Sequence, residues 1–284
     1  MRWLEVSVLT SREAAEAVAA VLLELRSGYA EEETPRGVIL RAYLWDGEAA
    51  SSQIETIRRR IRSLPAFGLD PGPAEVTVRA VEDEDWAEAW KTHFHSFRVG
   101  PFRIRPPWES VKCGEDEMEI VLNPGMAFGT GLHESTRLCL HALSDYVRGG
   151  ETVLDIGTGS GILAIAAAKL GADRVIAVDN DPVSCAVAEE NVRHNGVRVE
   201  VRCADLFEWS PERADVITMN ITAPVVARAL GPARAHLRSA GVLIVSGFVD
   251  ADVPELLARA EDVGFLCDRL LAQAEWRALV FVAP

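Results

Sequence analysis

The stretch VLDIGTGSGILAIAAA, residues 153–168, constrains this chain more than any other. An apolar run ending in an acid, a turn with three glycines, and an alanine-rich apolar run read as strand, tight turn and helix. Gly157, Gly159 and Gly161 let the backbone pass close to a ligand, and the helix that follows offers N–H groups without helical partners. In an open parallel sheet such a turn lies where ligands bind, outside the carboxyl ends of the strands and next to the point where strand order reverses.

The second part of the chain repeats this unit. RVIAVD, the helix after Pro182, RVEVRCA, ADVITMN, the helix TAPVVARALGPARAHL, GVLIVSG and the helix VPELLARAEDVG follow in turn. That alternation specifies a mainly parallel sheet with helices on both faces. FLCDRLLA and WRALVFVA are separated only by QAE, too few residues for a parallel crossover, so they are expected to pair as an antiparallel hairpin.

The front of the chain reads differently. RWLEVSVL, SREAAEAVAAVLLEL, SGYAEE, RGVILRAYLW, SSQIETIRRRIRSL and AEVTVRAV are in the order β-α-β-β-α-β, the ferredoxin-like arrangement. Thr10 with Glu13 is expected to form a capping box on the first helix. The expected organisation is α/β, with a ferredoxin-like α+β domain at 1–81, a linker at 82–100 carrying Trp86 and Trp90, and a Rossmann-like domain at 101–284.

Composition narrows the function. A net charge of -14 disfavours direct nucleic-acid binding, and the acidity, concentrated beyond residue 80, suits either a basic protein partner or simple solubility. No apolar run approaches the roughly 18 to 20 residues that span a bilayer, and the N-terminus meets charge too early for a signal peptide. A cytoplasmic protein without a membrane partner is expected. The cysteines, Cys113, Cys139, Cys185, Cys203 and Cys267, are scattered with no C-x-x-C pair, and read as reduced, mostly buried thiols. His93 and His95 in HFH have no further ligand at metal spacing and read as linker packing, so no metal is expected.

A dinucleotide turn requires G-x-G-x-x-G, and Ile162 stands at the third glycine position, which disfavours a pyrophosphate and a nicotinamide oxidoreductase with it. Asp179 ends the next strand, 22 residues past Gly157, where a carboxylate can accept both hydroxyl protons of a ribose. Asp181 is the better candidate to cap the helix after it. Asp155 is expected to hold the glycine turn through backbone N–H groups, and Asp205 is a weaker candidate for an adenine amino group. Asn220 closes ADVITMN as a neutral donor and acceptor at a strand end; its alternative is an Asx turn into the next helix.

DIGTGSG followed by Asp179 resembles the class I S-adenosylmethionine-dependent methyltransferases. NPGMAFGTGLHEST at 123–136, DEDWAEAW and NITA together resemble one branch of them over nearly the whole chain, the ribosomal protein L11 methyltransferases, or PrmA family. The resemblance implies S-adenosylmethionine as cofactor and a large-subunit ribosomal protein as substrate, bound by the front domain and methylated on lysine ε-amines and its N-terminal α-amine. It implies that Thr136 contacts the cofactor, Gly157 faces its methionine portion, Asp179 its ribose, and Asn220 lies beside the methyl group and the incoming amine. It also implies that the loop with Phe128 and Gly129 is a lid and that His133 orients the substrate. Ser135 stands where the family more often has threonine, and Thr222 where it has a larger residue. A related lysine methyltransferase with another protein target stays open here, as does a cofactor-binding module without activity.

Overall fold

The computed structural model describes residues 2–23, 29–45, 47, 50–67, 69–82, 95–123, 131–205 and 213–284. The loop beyond Asn123 with Phe128 and Gly129, and the segment with Trp86, Trp90 and His93, lie outside the described residues. The chain divides into two compact units, Met1–His93 and Phe94–Pro284.

The first unit contains β1 (Arg2–Thr10), α1 (Ala15–Leu23), β2 (Tyr29–Thr34), β3 (Gly37–Trp45), α2 (Ala50–Ser63) and β4 (Glu75–Glu82). Its antiparallel sheet has the order β2-β3-β1-β4, with β1 paired on both sides. Ile54, Ile57 and Ile61 form one stripe of α2 and pack with Val18 and Leu22 of α1 over Val6, Val8 and Leu40 of the sheet. The expected capping box does not form. Thr10 still pairs with Val38 in β1 and donates its hydroxyl to the Pro71 carbonyl at 3.0 Å, so its backbone is committed to the strand. Ser11, one residue later, supplies the cap by accepting from the Ala14 N–H at 3.1 Å, and Glu13 is exposed.

The second unit opens with a small sheet of β5 (Phe97–Val99), β6 (Phe102–Arg105) and β7 (Met118–Val121), then α3 (Glu134–Tyr146). These strands are only three or four residues long, too short for a period to stand out in the sequence.

The large sheet is built from β8 (Thr152–Ile156), α4 (Ile162–Lys169), β9 (Arg174–Asp179), α5 (Pro182–Asn195), β10 (Glu200–Cys203), β11 (Ala214–Asn220), α6 (Ala223–His236), β12 (Leu237–Val249), α7 (Val253–Asp262), β13 (Leu266–Gln273) and β14 (Trp276–Val282). Its order is β10-β9-β8-β11-β12-β14-β13. The first five strands are parallel, and β14 runs antiparallel to both β12 and β13, giving the expected hairpin. Successive side chains of each strand serve opposite faces. Val153, Val216 and Ile244 pack under α3 and α4, whereas Leu154, Ile217 and Leu243 pack under α6 and α7. Strand order reverses between β8 and β11, which opens a crevice at their carboxyl ends.

The thiols are less buried than expected. Cys139 and Cys185 are buried, but Cys113, Cys203 and Cys267 are exposed. Cys203 and Cys267 lie on β10 and β13, the two outermost strands, and Cys113 lies in the connection between β6 and β7. No described helix is long and apolar enough to cross a membrane.

Candidate active site

The glycine turn leaves β8 beside the end of β11. Gly157, Gly159 and Gly161 have φ of 72°, 54° and 82°, a left-handed conformation that side chains disfavour. The turn is tied to the neighbouring strand, since the N–H groups of Gly157 and Thr158 both donate to the Val178 carbonyl, at 2.8 and 3.0 Å. A Cβ on Gly157 would lie 2.5 Å from Cγ2 of Ile221, so glycine is required both by the backbone and by the close approach of the NITA segment. From the other side, a Cβ on Gly247 would lie 2.5 Å from the Ile221 carbonyl oxygen, and the Ile221 N–H donates to the Ser246 carbonyl at 3.0 Å. Ile221 is therefore clamped between two glycines. Gly247 escaped the sequence reading; its signal was a glycine at the carboxyl end of an apolar strand.

Asp179 is the last residue of β9 and is 8% exposed. One carboxylate oxygen accepts from the Gly159 N–H at 2.9 Å and the other from the Asp181 N–H at 3.0 Å. Those bonds orient the carboxylate toward the turn and leave each oxygen with further acceptor capacity. Asp181, as expected, caps α5 by accepting from the Val183 N–H at 3.0 Å.

Asp155 holds the turn differently from the expectation. Oδ2 accepts from the Thr158 hydroxyl and Oδ1 from the Thr218 hydroxyl, each at 2.6 Å, and the Ala164 N–H in the first turn of α4 also supports the charge. Burial pushes this carboxyl up to about 6, against the opposing effect of the Thr158 and Thr218 hydrogen bonds. Thr218, in the middle of an apolar strand, carried no functional signal in the sequence.

Asn220 ends β11 and donates its Nδ2 hydrogen to Oγ1 of Thr136, in the first turn of α3, at 3.1 Å. Its Oδ1 is buried and has no partner among the described residues. The Asx-turn alternative is not adopted: Thr222 is the N-cap position of α6, without a side-chain cap bond. Thr222 is also exposed.

His133 is the N-cap of α3. Its Nδ1 accepts from the Ser135 N–H at 3.3 Å and lies 2.7 Å from the Ser135 hydroxyl, while its ring meets Trp276 edge-on with centroids 4.4 Å apart. Ser135 thus has a defined partner in His133. Trp276 opens β14 and came forward from the sequence only as a strand residue. Asp205 follows β10 and is exposed.

The arrangement suits an adenosine-bearing sulfonium better than a pyrophosphate. Asp179 already accepts the Gly159 N–H that a phosphate would need, and Asp155 adds a second acid beside the turn. Asp179 offers acceptors for ribose hydroxyls, the turn leaves room where side chains would intrude, and Asn220 Oδ1 is a buried neutral acceptor in need of a donor.

Comparison with known proteins agrees over the full length. A family model described as "Ribosomal protein L11 methyltransferase (PrmA)" matches residues 2–284. The ribosomal protein L11 methyltransferase of Geobacillus kaustophilus is 37% identical, the match covering 100% of both chains, and that of Enterococcus faecalis is 37% identical over 100% of this chain and 99% of the relative. The crystal structure of ribosomal protein L11 methylase from Lactobacillus delbrueckii subsp. bulgaricus is 32% identical with a TM-score of 0.63, covering 66% of this chain and 98% of that chain. With both compact units inside a single family match and a methyltransferase turn at the sheet's switch point, the chain belongs to the ribosomal protein L11 methyltransferase (PrmA) family, enzymes that use S-adenosylmethionine.

Proposed function

We propose that this protein transfers methyl groups from S-adenosylmethionine to amines of ribosomal protein L11, taking lysine ε-amines and the N-terminal α-amine. The observation that carries the reading is Asn220: an amide anchored through its nitrogen, with its buried oxygen free of partners among the described residues. The names of the relatives favour ribosomal protein L11 over another protein target.

When bound, S-adenosylmethionine supplies an electrophilic methyl group on a sulfonium. The chain must supply alignment and a neutral nucleophile. A lysine amine with a pKa of about 10.4 is almost wholly protonated near neutral pH, whereas an α-amine near 7.7 to 8 is substantially neutral. Asn220 Oδ1 accepts an N–H of the incoming amine and turns its lone pair toward the methyl group. Being uncharged, it does so without favouring the ammonium form as a carboxylate would. The donor would be held by Asp179 at its ribose, by the backbone of Gly157 and Gly159 along its methionine portion, and by Thr136, with Asp155 supporting the turn. We take His133, fixed by its cap bond and by Trp276, as the group that orients the amine.

We take the first unit as a ferredoxin-like domain, since its element order and the sheet order β2-β3-β1-β4 both fit that arrangement. In this reading the front domain, expected at 1–81, recognises the substrate, the linker expected at 82–100 ends before β5, which already belongs to the second unit, and the residues from β5 onward carry out the transfer. The acidic balance of the chain suits a basic ribosomal protein and speaks against direct nucleic-acid binding, and a ribosomal protein substrate supports a cytoplasmic enzyme. The test is mass spectrometry of purified L11 after incubation with enzyme and S-adenosylmethionine. Mass increases in steps of one CH₂ on L11 amines support the reading; unmodified L11 with an enzyme that binds the donor overturns it.

A further inference from the structure

Thr218 and Asp155 face each other across β11 and β8 as register partners, and Thr218 lies two residues before Asn220 while Asp155 lies two before Gly157. Both are buried, at 0% and 1% exposure, and Thr158 in the glycine turn is 5% exposed. One carboxylate therefore joins the strand that ends in Asn220 to the turn that receives the cofactor, through two hydroxyl donors at 2.6 Å. We infer that Thr218 is a positioning residue for methyl transfer: its hydroxyl keeps Asp155 a carboxylate, and that carboxylate keeps the Thr158 turn in the shape that binds S-adenosylmethionine. This deepens the cofactor reading of the glycine turn and rests on it.

The chemistry is a matter of donors and acceptors. An ionised carboxylate accepts from both hydroxyls at once. A protonated carboxyl carries a donor of its own, and where that donor turns on either threonine the threonine hydroxyl proton loses its acceptor at Asp155. If the bond to Thr158 reverses, the anchor of the turn changes with it. Burial already favours the protonated form, and the Thr158 and Thr218 hydroxyls oppose it, with a smaller contribution from the Ala164 N–H on α4. The other ionisable groups turned to Asp155 are Asp179 on β9, whose charge also favours protonation, and Cys139 on α3, whose thiol is pushed up by burial and stays neutral. Removing the Thr218 hydroxyl takes away one of the few contacts that hold the charge.

The test is the pH dependence of S-adenosylmethionine affinity, measured by calorimetry from pH 5.5 to 8.5 on the full chain. Wild type should lose affinity on the acid side with a midpoint near that of Asp155. Thr218→Val, nearly isosteric, should match wild type at pH 8.5 but move the midpoint up by about one pH unit, making binding about threefold weaker near pH 6.5 and approaching tenfold weaker at pH 5.5. Thr218→Ser should restore the wild-type profile, and Asp155→Asn should abolish the acid midpoint. Titration of the ligand's own amine is common to every variant and cancels. A Thr218→Val profile with an unmoved midpoint overturns the inference, as does a serine variant that behaves like valine. If Thr218→Val does not fold, the serine and asparagine variants decide: persistence of the acid midpoint in Asp155→Asn then overturns it. Wild type that fails to bind the donor at any pH overturns the cofactor reading itself, a different result from a bound donor with an unmoved midpoint.

Discussion

Asn220 gives its amide hydrogen to Thr136 across 3.1 Å, which fixes the direction of the carbonyl oxygen on the opposite side of the same amide. A strand end on β11 and the first turn of α3, 84 residues apart in sequence, thereby define one acceptor. Removal of that acceptor is expected to affect transfer and not donor binding. Asn220→Ala should lower kcat on L11 by about 100-fold or more, with donor affinity changed less than about threefold. Equal losses of turnover and affinity would count against the role. Asn220→Asp should also be slow, because a carboxylate stabilises the ammonium form of the amine.

Asp179 tests the donor side. Asp179→Ala removes the acceptors proposed for the ribose and also the anchors of the Gly159 and Asp181 N–H groups. Hydrogen bonds to a charged group contribute about 1.5 to 3 kcal/mol each, so affinity should fall by about 100-fold. Calorimetry with unchanged affinity would remove Asp179 from the ribose site.

The two glycines that clamp Ile221 should respond differently to repair. Gly157→Ala and Gly247→Ala each place a side chain on left-handed backbone, at φ of 72° and 94°, and should each destabilise by about 2 kcal/mol or more. At Gly157 the close contact is the Ile221 side chain, so adding Ile221→Ala should recover part of the loss. At Gly247 the contact is the Ile221 backbone, and the same second change should recover none. Denaturant midpoints of the four variants measure this.

Asp155 carries a stability consequence with a definite sign. Its carboxyl lies at about 6 in the fold, above the roughly 3.9 of an unfolded aspartate, so folding favours the protonated form. Its contribution is fully present below about pH 4 and is lost as pH rises through 6, leaving a penalty on the order of 3 kcal/mol above it. Asp155→Asn should therefore be more stable than wild type at pH 7.5 and show little gain at pH 4, by denaturant midpoints. A variant destabilised equally at both values would refute this assignment.

Thiol accessibility follows the sheet edges. Brief alkylation of the native protein should label Cys113, Cys203 and Cys267, with Cys139 and Cys185 labelled only after unfolding. Peptide mass spectrometry distinguishes the two sets, and early labelling of Cys139 would contradict its place in the core between α3 and the sheet.

Much of this molecule was legible before folding. VLDIGTGSG, RVIAVD and ADVITMN carry their secondary structure in local patterns, because β-branched apolar runs and glycine turns are decided by neighbours in the chain. The last hairpin followed from a connection too short for anything else. Short strands such as FRIR and MEIV were missed, since their stability comes from pairing with each other and with the helices above. The cap at Ser11 was misplaced by one residue, because the ladder with Val38 holds Thr10 in β1.

The sequence by itself determined the α/β class, the family and the place of the glycine turn, all properties of contiguous residues. Only the tertiary structure decided that Thr136 holds Asn220, that Thr218 shares Asp155 with Thr158, and that Gly157 and Gly247 close on Ile221. Those contacts join strands and helices brought together by the reversal of strand order between β8 and β11. Hydrogen bonds and steric contacts act over a few ångströms of space, and chain distance carries no record of which side chains will meet there.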